Sequence, residues 1–145
     1  MNARSVRDAM TADPRSIGTS ASAVDAAQLM RAEGVGSLPV LESEKLVGMI
    51  TDRDIATRVV AEAADPTATT VREVYSRDVI SVEPDTDLDD VLQLMARHQV
   101  RRVPVVERGE LVGIVAQADI ALNWSEAETG KLVEAISEPS EGGRR

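Results

Sequence analysis

An internal duplication constrains the fold of this chain more than any other feature. The segment Leu46–Ile55 (LVGMITDRDI) returns 65 residues later as Leu111–Ile120 (LVGIVAQADI). The same offset holds without a gap from Val6 and Val71 as far as Ala56 and Ala121. Repetition of this kind indicates one supersecondary unit used twice, in which each copy covers the apolar face of the other. The whole chain has 145 residues, so a single copy would bury too little apolar surface to fold stably on its own. We therefore expect the two copies to share a core.

Each copy predicts the same order of elements. A capping-box pattern, Ser5–Asp8 or Thr70–Glu73, opens a short helical turn. The main helix comes next, because apolar residues recur at i, i+3, i+4 and i+7. These residues are Ala23, Ala26, Ala27 and Met30 in the first copy and Leu88, Val91, Leu92 and Met95 in the second. The smaller side chains of the first helix permit closer packing, so the two copies are not fully symmetric.

A predicted β-hairpin follows the main helix in both copies. Its first strands are Leu38–Leu41 and Val103–Val106, and four polar residues join each of them to the repeated apolar strand. A proline near the start of each strand is typical of a sheet edge or of an opening on the ligand side. The repeated strand then turns into a helix that runs from about Asp52 to about Ala63, and its counterpart begins near Gln117.

The pattern divides the chain into five segments. The first repeat covers residues 5–62, a turn-rich linker covers 63–69, and the second repeat covers 70–124. Residues 125–137 predict an amphipathic helix that must bury its apolar side on its own module or on a second subunit. Residues 138–145 have the composition of a flexible tail.

Composition excludes several classes of function. A net charge of −9 and only 1% aromatic residues disfavour nucleic acid and anionic membranes as partners, because phosphate is repelled and stacking surfaces are scarce. Without cysteine and with His98 as its sole histidine, the chain offers no thiolate metal site and no nucleophile with a matched base, so we expect neither a metal nor an enzyme. It contains no apolar run of membrane-spanning length and no signal-peptide core, so a cytoplasmic location is expected.

These features together resemble the CBS-domain family, named for cystathionine beta-synthase, in its tandem-pair form. The matching residues are Leu38–Val40 (LPV), Val103–Val105 (VPV) and the signature Gly48-x-x-Thr51-x-x-Asp54. The resemblance implies an α+β fold in which two β-α-β-β-α units pack with pseudo-two-fold symmetry, and it implies a homodimer. The chain is most similar to free-standing bacterial members, including the actinobacterial hypoxic-response type, so a role in stress response is expected.

The resemblance also implies a ligand site. In members that bind nucleotides, the threonine and aspartate of the signature lie at the ribose and phosphate, and here they are Thr51 and Asp54. A carboxylate can accept hydrogen bonds from both vicinal ribose hydroxyls. Basic residues before the Val-Pro-Val of the partner repeat meet the phosphates, and here they are Arg101 and Arg102. The implied ligands are AMP, ADP, ATP and S-adenosylmethionine.

The second potential site departs from this pattern twice. Ala116 replaces the hydroxyl residue, and the positions aligned with the two arginines hold Gly36 and Ser37, which carry no charge. Asp119 alone would have to recognise the ligand. We therefore predict one competent site in each chain.

Simpler interpretations stand beside these assignments. Thr51 and Asp54 also form a capping box, which satisfies free amides without any ligand. Arg101 and Arg102 are adjacent, so on an extended strand they point to opposite faces and only one can reach a cleft. Tyr75 could lie against adenine, but a packing role is favoured. The leading functional hypothesis is a regulatory module that binds an adenine nucleotide. The alternative is a dimeric stress or interaction protein that keeps the fold without a ligand.

Overall fold

The computed structural model describes residues 4–122, so the predicted C-terminal helix (125–137) and tail (138–145) lie outside the described residues. Two compact units divide the chain. The central unit is Arg15–Val79, and the terminal unit combines residues 4–14 with residues 80–122 of the described part of the chain. The units do not coincide with the sequence repeats, because the opening turn of each repeat packs in the unit that holds the hairpin of the other repeat.

The described elements follow one another in chain order, with a π-helical segment after the third helix. They are α1 (Val6–Ala9), β1 (Thr11–Ala12), β2 (Ile17–Gly18), α2 (Ala23–Glu33), β3 (Ser37–Glu42), β4 (Lys45–Thr51), α3 (Asp52–Ile55), the π-helical segment (Ala56–Val60), α4 (Val71–Val74), α5 (Leu88–His98), β5 (Arg102–Glu107), β6 (Glu110–Ala116) and α6 (Gln117–Leu122).

In the central unit, β3 and β4 form the predicted antiparallel hairpin, and β2 pairs with β3 in parallel. Helix α2 buries Ala23, Ala26 and Met30 of its predicted apolar face, and the small alanine side chains leave room for close packing. Ala27, the fourth predicted residue, is exposed instead. The opening turn of the second repeat contributes Val71 and Val74 to this core. The buried residues of the unit are Ile17, Ala23, Ala26, Met30, Leu38, Val40, Ile50, Val59, Val71, Val74 and Tyr75.

The terminal unit has the corresponding hairpin, β5 with β6, and β1 pairs antiparallel with β6. Before α5, Val82 forms a parallel bridge with Val105. The predicted apolar face of α5 is confirmed, since all four of its residues are buried. The core of this unit consists of Val6, Ala9, Val82, Leu88, Val91, Leu92, Met95, Val103, Val105, Val115 and Ile120.

The hairpin connections are shorter than the sequence predicted. The strands continue into the polar stretches, so only Ser43 and Glu44 turn the first hairpin, and only Arg108 and Gly109 turn the second. All four residues have positive φ, at 53°, 66°, 56° and 83° in chain order. A two-residue turn with positive φ at both positions matches the right-handed twist of the flanking strands. The twist requirement therefore outweighs the unfavourable backbone conformation of the non-glycine residues.

The start of α2 provides a test of local stabilisation. Ser22 Oγ accepts a hydrogen bond from the backbone N of Asp25 at 3.0 Å, and Asp25 Oδ2 accepts one from the backbone N of Ser22 at 3.1 Å. We expect Ser22→Ala to lower the free energy of unfolding by about 1 kcal/mol, because the N-cap acceptor is lost. Chemical denaturation measures this change, with the exposed Ser20→Ala as control. Equal midpoints for the two variants would contradict the assigned role of the cap.

Candidate ligand site at the strand-to-helix junctions

The first junction joins the end of β4 to α3 through a complete capping box. Thr51 Oγ1 accepts a hydrogen bond from the backbone N of Asp54 at 3.0 Å. Asp54 Oδ2 in turn accepts one from the backbone N of Thr51 at 2.9 Å. The local interpretation of this pair is thus confirmed. The two side chains hold the chain in a sharp turn from strand to helix and fix the direction of the Asp54 carboxylate.

Asp54 is one of the few charged or polar residues that are buried among residues 4–122, with 6% of its surface exposed. Its second oxygen, Oδ1, accepts a hydrogen bond from Ser76 Oγ at 3.1 Å and lies 3.9 Å from Nε of Arg58. A buried carboxylate without such partners would be costly. Ser76 and Arg58 therefore compensate the charge that the capping box leaves inside the central unit.

Gly48 permits the close approach of Ser76. The backbones of Met49 and Ser76 exchange two hydrogen bonds, at 3.0 and 2.8 Å. A Cβ atom added at Gly48 would collide with the carbonyl oxygen of Ser76 and would lie 2.6 Å from the ring of Tyr75. The glycine at this position therefore lets a second backbone segment approach the strand closely.

Tyr75 packs in the core of the central unit, with 7% of its surface exposed. The guanidinium of Arg77 lies over its ring, 4.9 Å from the centroid, and Arg77 Nε donates to the phenol oxygen at 3.2 Å. One face of the ring is thereby covered. This geometry agrees with a packing role for Tyr75 rather than with adenine stacking.

The second junction, from β6 to α6, keeps half of the capping arrangement. The backbone N of Ala116 donates to Asp119 Oδ2 at 3.3 Å. The alanine side chain has no oxygen that could accept the reciprocal bond from the backbone N of Asp119. Burial lowers the pKa of the half-buried Arg102, and the negative charge of Asp119 acts in the opposite direction. Asp119 and Arg102 of the terminal unit thus interact electrostatically.

Arg101 and Arg102 differ in environment, as expected for neighbours on an extended strand. Arg101 is exposed, whereas Arg102 is half-buried. Both belong to the terminal unit, while Thr51 and Asp54 belong to the central unit. That all four residues form one ligand site stays a prediction.

Two residues of the first junction were missed by the sequence analysis. Ser76 belongs to no motif and lies 22 positions from Asp54, so no local pattern could have indicated it. Arg58 did carry a signal, because an acidic and a basic residue at i and i+4 are neighbours on a helix. Neither residue is part of the signature that suggested Thr51 and Asp54.

The described part of the chain contains no group of three or more histidine, cysteine or acidic side chains arranged to hold a metal ion. His98 is the last residue of α5, the end of the helix at which the helix dipole favours positive charge. Within residues 4–122, none of the helices has the length and apolar character needed to cross a bilayer.

Comparison with known proteins identifies the fold. The family model for the CBS domain matches residues 6–61 and 71–125. The CBS domain-containing protein YhcV of Bacillus subtilis is 44% identical over 92% of this chain and 95% of its own length. Hypoxic response protein 1 of Mycobacterium tuberculosis is 38% identical over 92% of this chain and 94% of its own length.

A solved structure extends the comparison to a bound ligand. The CBS domain pair of protein MJ0100, crystallised with 5′-methylthioadenosine and S-adenosyl-L-methionine, is 30% identical. It covers 90% of this chain and 99% of its own, with a TM-score of 0.73. The α+β tandem-pair fold predicted from the sequence is confirmed by these relatives. The chain belongs to the CBS-domain family and carries two CBS domains in tandem.

Proposed function

We propose that the chain is a regulatory module that binds an adenosyl ligand, either an adenine nucleotide or S-adenosylmethionine, and catalyses no reaction. The observation that carries the proposal is the buried carboxylate of Asp54, fixed by Thr51 at the position of the family signature. The MJ0100 pair, which holds two adenosyl compounds, supports this class of ligand. We further propose that the module acts in the cytoplasm as a homodimer.

The chemistry of Asp54 suits a ribose. An ionised carboxylate has about four lone-pair positions, and its two recorded short bonds come from the backbone N of Thr51 and from Ser76 Oγ. The remaining positions can accept vicinal hydroxyls. A ribose hydroxyl can also take the place of the Ser76 hydroxyl at Oδ1 without loss of a bond, because both are neutral donors.

A second candidate function rests on the same contacts. The carboxylate is already paired by Thr51 and Ser76, so the junction is stable with no ligand. A dimeric stress or interaction protein that has kept the fold and lost the ligand would need no more than this. Similarity to a hypoxic response protein supports the stress role.

A ligand panel decides between the two functions. The purified full chain is heated with AMP, ADP, ATP, S-adenosylmethionine or adenosine, and its melting temperature is recorded. A ligand that binds only the folded state, at a concentration of 100 times its Kd, should stabilise that state by about 2.7 kcal/mol and raise the melting temperature by several degrees. No shift with any compound would contradict the proposal and favour the second function. Titration calorimetry should give one ligand per chain, and two would contradict the single competent site.

A further inference from the structure

We infer that Arg58 selects phosphorylated adenosyl ligands over uncharged ones at the Thr51–Asp54 junction. This inference rests on the proposed function and names the charge that the ligand must carry. Arg58 lies in the π-helical segment directly after α3. Its Nε is 3.9 Å from Asp54 Oδ1, and its side chain is 51% exposed while that of Asp54 is 9% exposed. A ligand held by the buried carboxylate would therefore meet an accessible cation beside it.

The helix geometry places Arg58 over Asp54. In an α-helix each residue advances by about 100°, so a position four residues on lies about 40° past a full turn. A π turn holds more residues and reduces the advance per residue. The π-helical segment, closed by a bond of 2.9 Å from the backbone N of Ala61 to the oxygen of Ala56, brings Arg58 nearer to a complete turn. Widened turns of this kind are frequent at functional sites.

A side chain in the same stretch favours the widened turn. Thr57 Oγ1 donates to the carbonyl oxygen of Arg53 at 2.8 Å. That oxygen is the acceptor that the backbone N of Thr57 would use in a regular α-helix, and such back-bonding competes with the helical bond. The local sequence therefore favours the widened turn in which Arg58 lies.

The present partners of Arg58 leave capacity for an anion. Its Nη1 donates to the carbonyl oxygens of Val74 and Tyr75 at 3.3 and 3.4 Å. These bonds are long, their acceptors are neutral, and they involve only one of the three guanidinium nitrogens. A phosphate accepts two parallel, charge-assisted bonds from a guanidinium, which are shorter and about twice as strong as neutral ones. An anionic ligand group would thus compete well with the two carbonyls.

The two repeats differ at this position. The residue 65 positions after Arg58 is Asn123, which carries no charge. Ala116, the counterpart of Thr51, likewise lacks the polar group that the first repeat has at that position. Selection for a charged ligand is therefore expected of the first junction.

The test compares AMP with adenosine, which share the ribose and base and differ in the phosphate. Titration calorimetry on the full chain should show that AMP binds more tightly than adenosine. Arg58→Gln should weaken the affinity for AMP by roughly tenfold to a hundredfold, the effect of losing a hydrogen bond to a charged group. The same variant should leave the affinity for adenosine within about twofold of that of the parent chain. Arg58→Lys should restore part of the preference. Arg53→Gln is the matched control, since it removes the same charge from an exposed arginine five residues earlier.

The outcomes separate the inference from the proposed function. If AMP and adenosine both fail to bind, the role of Arg58 is wrong, and the proposed function fails as well if no other compound of the panel shifts the melting temperature. If both bind and Arg58→Gln weakens them equally or leaves both unchanged, the ligand site stands and the selective role of Arg58 is wrong. Unliganded melting curves show whether each variant is folded, and a half-exposed side chain makes folding of the variants the expected result.

Discussion

Gly48→Ala is expected to destabilise the protein by roughly 3 kcal/mol, a large share of the stability of an ordinary domain. The added Cβ would meet the carbonyl oxygen of Ser76 and the ring of Tyr75, at 2.6 Å from the ring. The carbonyl cannot retreat without breaking the paired backbone bonds between Met49 and Ser76. Chemical denaturation of the full chain measures the loss as a lower midpoint with an unchanged slope.

Two other glycines provide controls for Gly48. A Cβ at Gly18 would meet nothing within 4 Å, so Gly18→Ala should change stability by less than about 0.5 kcal/mol. A Cβ at Gly113 would lie 2.6 Å from Met10 Sδ and 3.0 Å from the carbonyl oxygen of Thr11. Because the methionine side chain can move, Gly113→Ala should fall between the other two variants. A midpoint for Gly48→Ala equal to that of Gly18→Ala would contradict the close approach.

Asp54→Ala is expected to act on both stability and binding. The variant loses the acceptor of the capping box and the partner of Ser76, which together should cost about 2 kcal/mol. It should also lose the ligand-dependent stabilisation, about 2.7 kcal/mol at 100 times the Kd of the parent chain. Melting curves with and without AMP measure the two effects separately.

Asp52→Ala is the matched control for Asp54→Ala. Asp52 is an exposed carboxylate in the first turn of the same helix, so its loss changes the net charge equally. We expect it to keep the AMP-dependent shift. If Asp54→Ala keeps the full shift as well, Asp54 does not contact the ligand and the proposed site is wrong.

Much of the fold could be read from the sequence because the decisive signals are local or periodic. The apolar spacing of Leu88, Val91, Leu92 and Met95 is a property of a single helix, and all four residues are buried as predicted. The Thr51–Asp54 capping box spans three residues, so its geometry follows from the local chain alone. The helix predicted from about Asp52 to about Ala63 is shorter in the structure. Regular α-helix ends at Ile55, and the π-helical segment that replaces it ends at Val60.

The sequence by itself determined the duplication, the apolar face of α5, the hairpins and the carboxylate at the first junction. Only the tertiary structure decided what surrounds that carboxylate. Ser76 reaches Asp54 from 22 residues away, and the carbonyls of Val74 and Tyr75 hold Arg58 from 16 and 17 residues away. The physical reason is that a hydrogen bond between distant segments depends on how the core brings them together, and no periodicity within either segment records it.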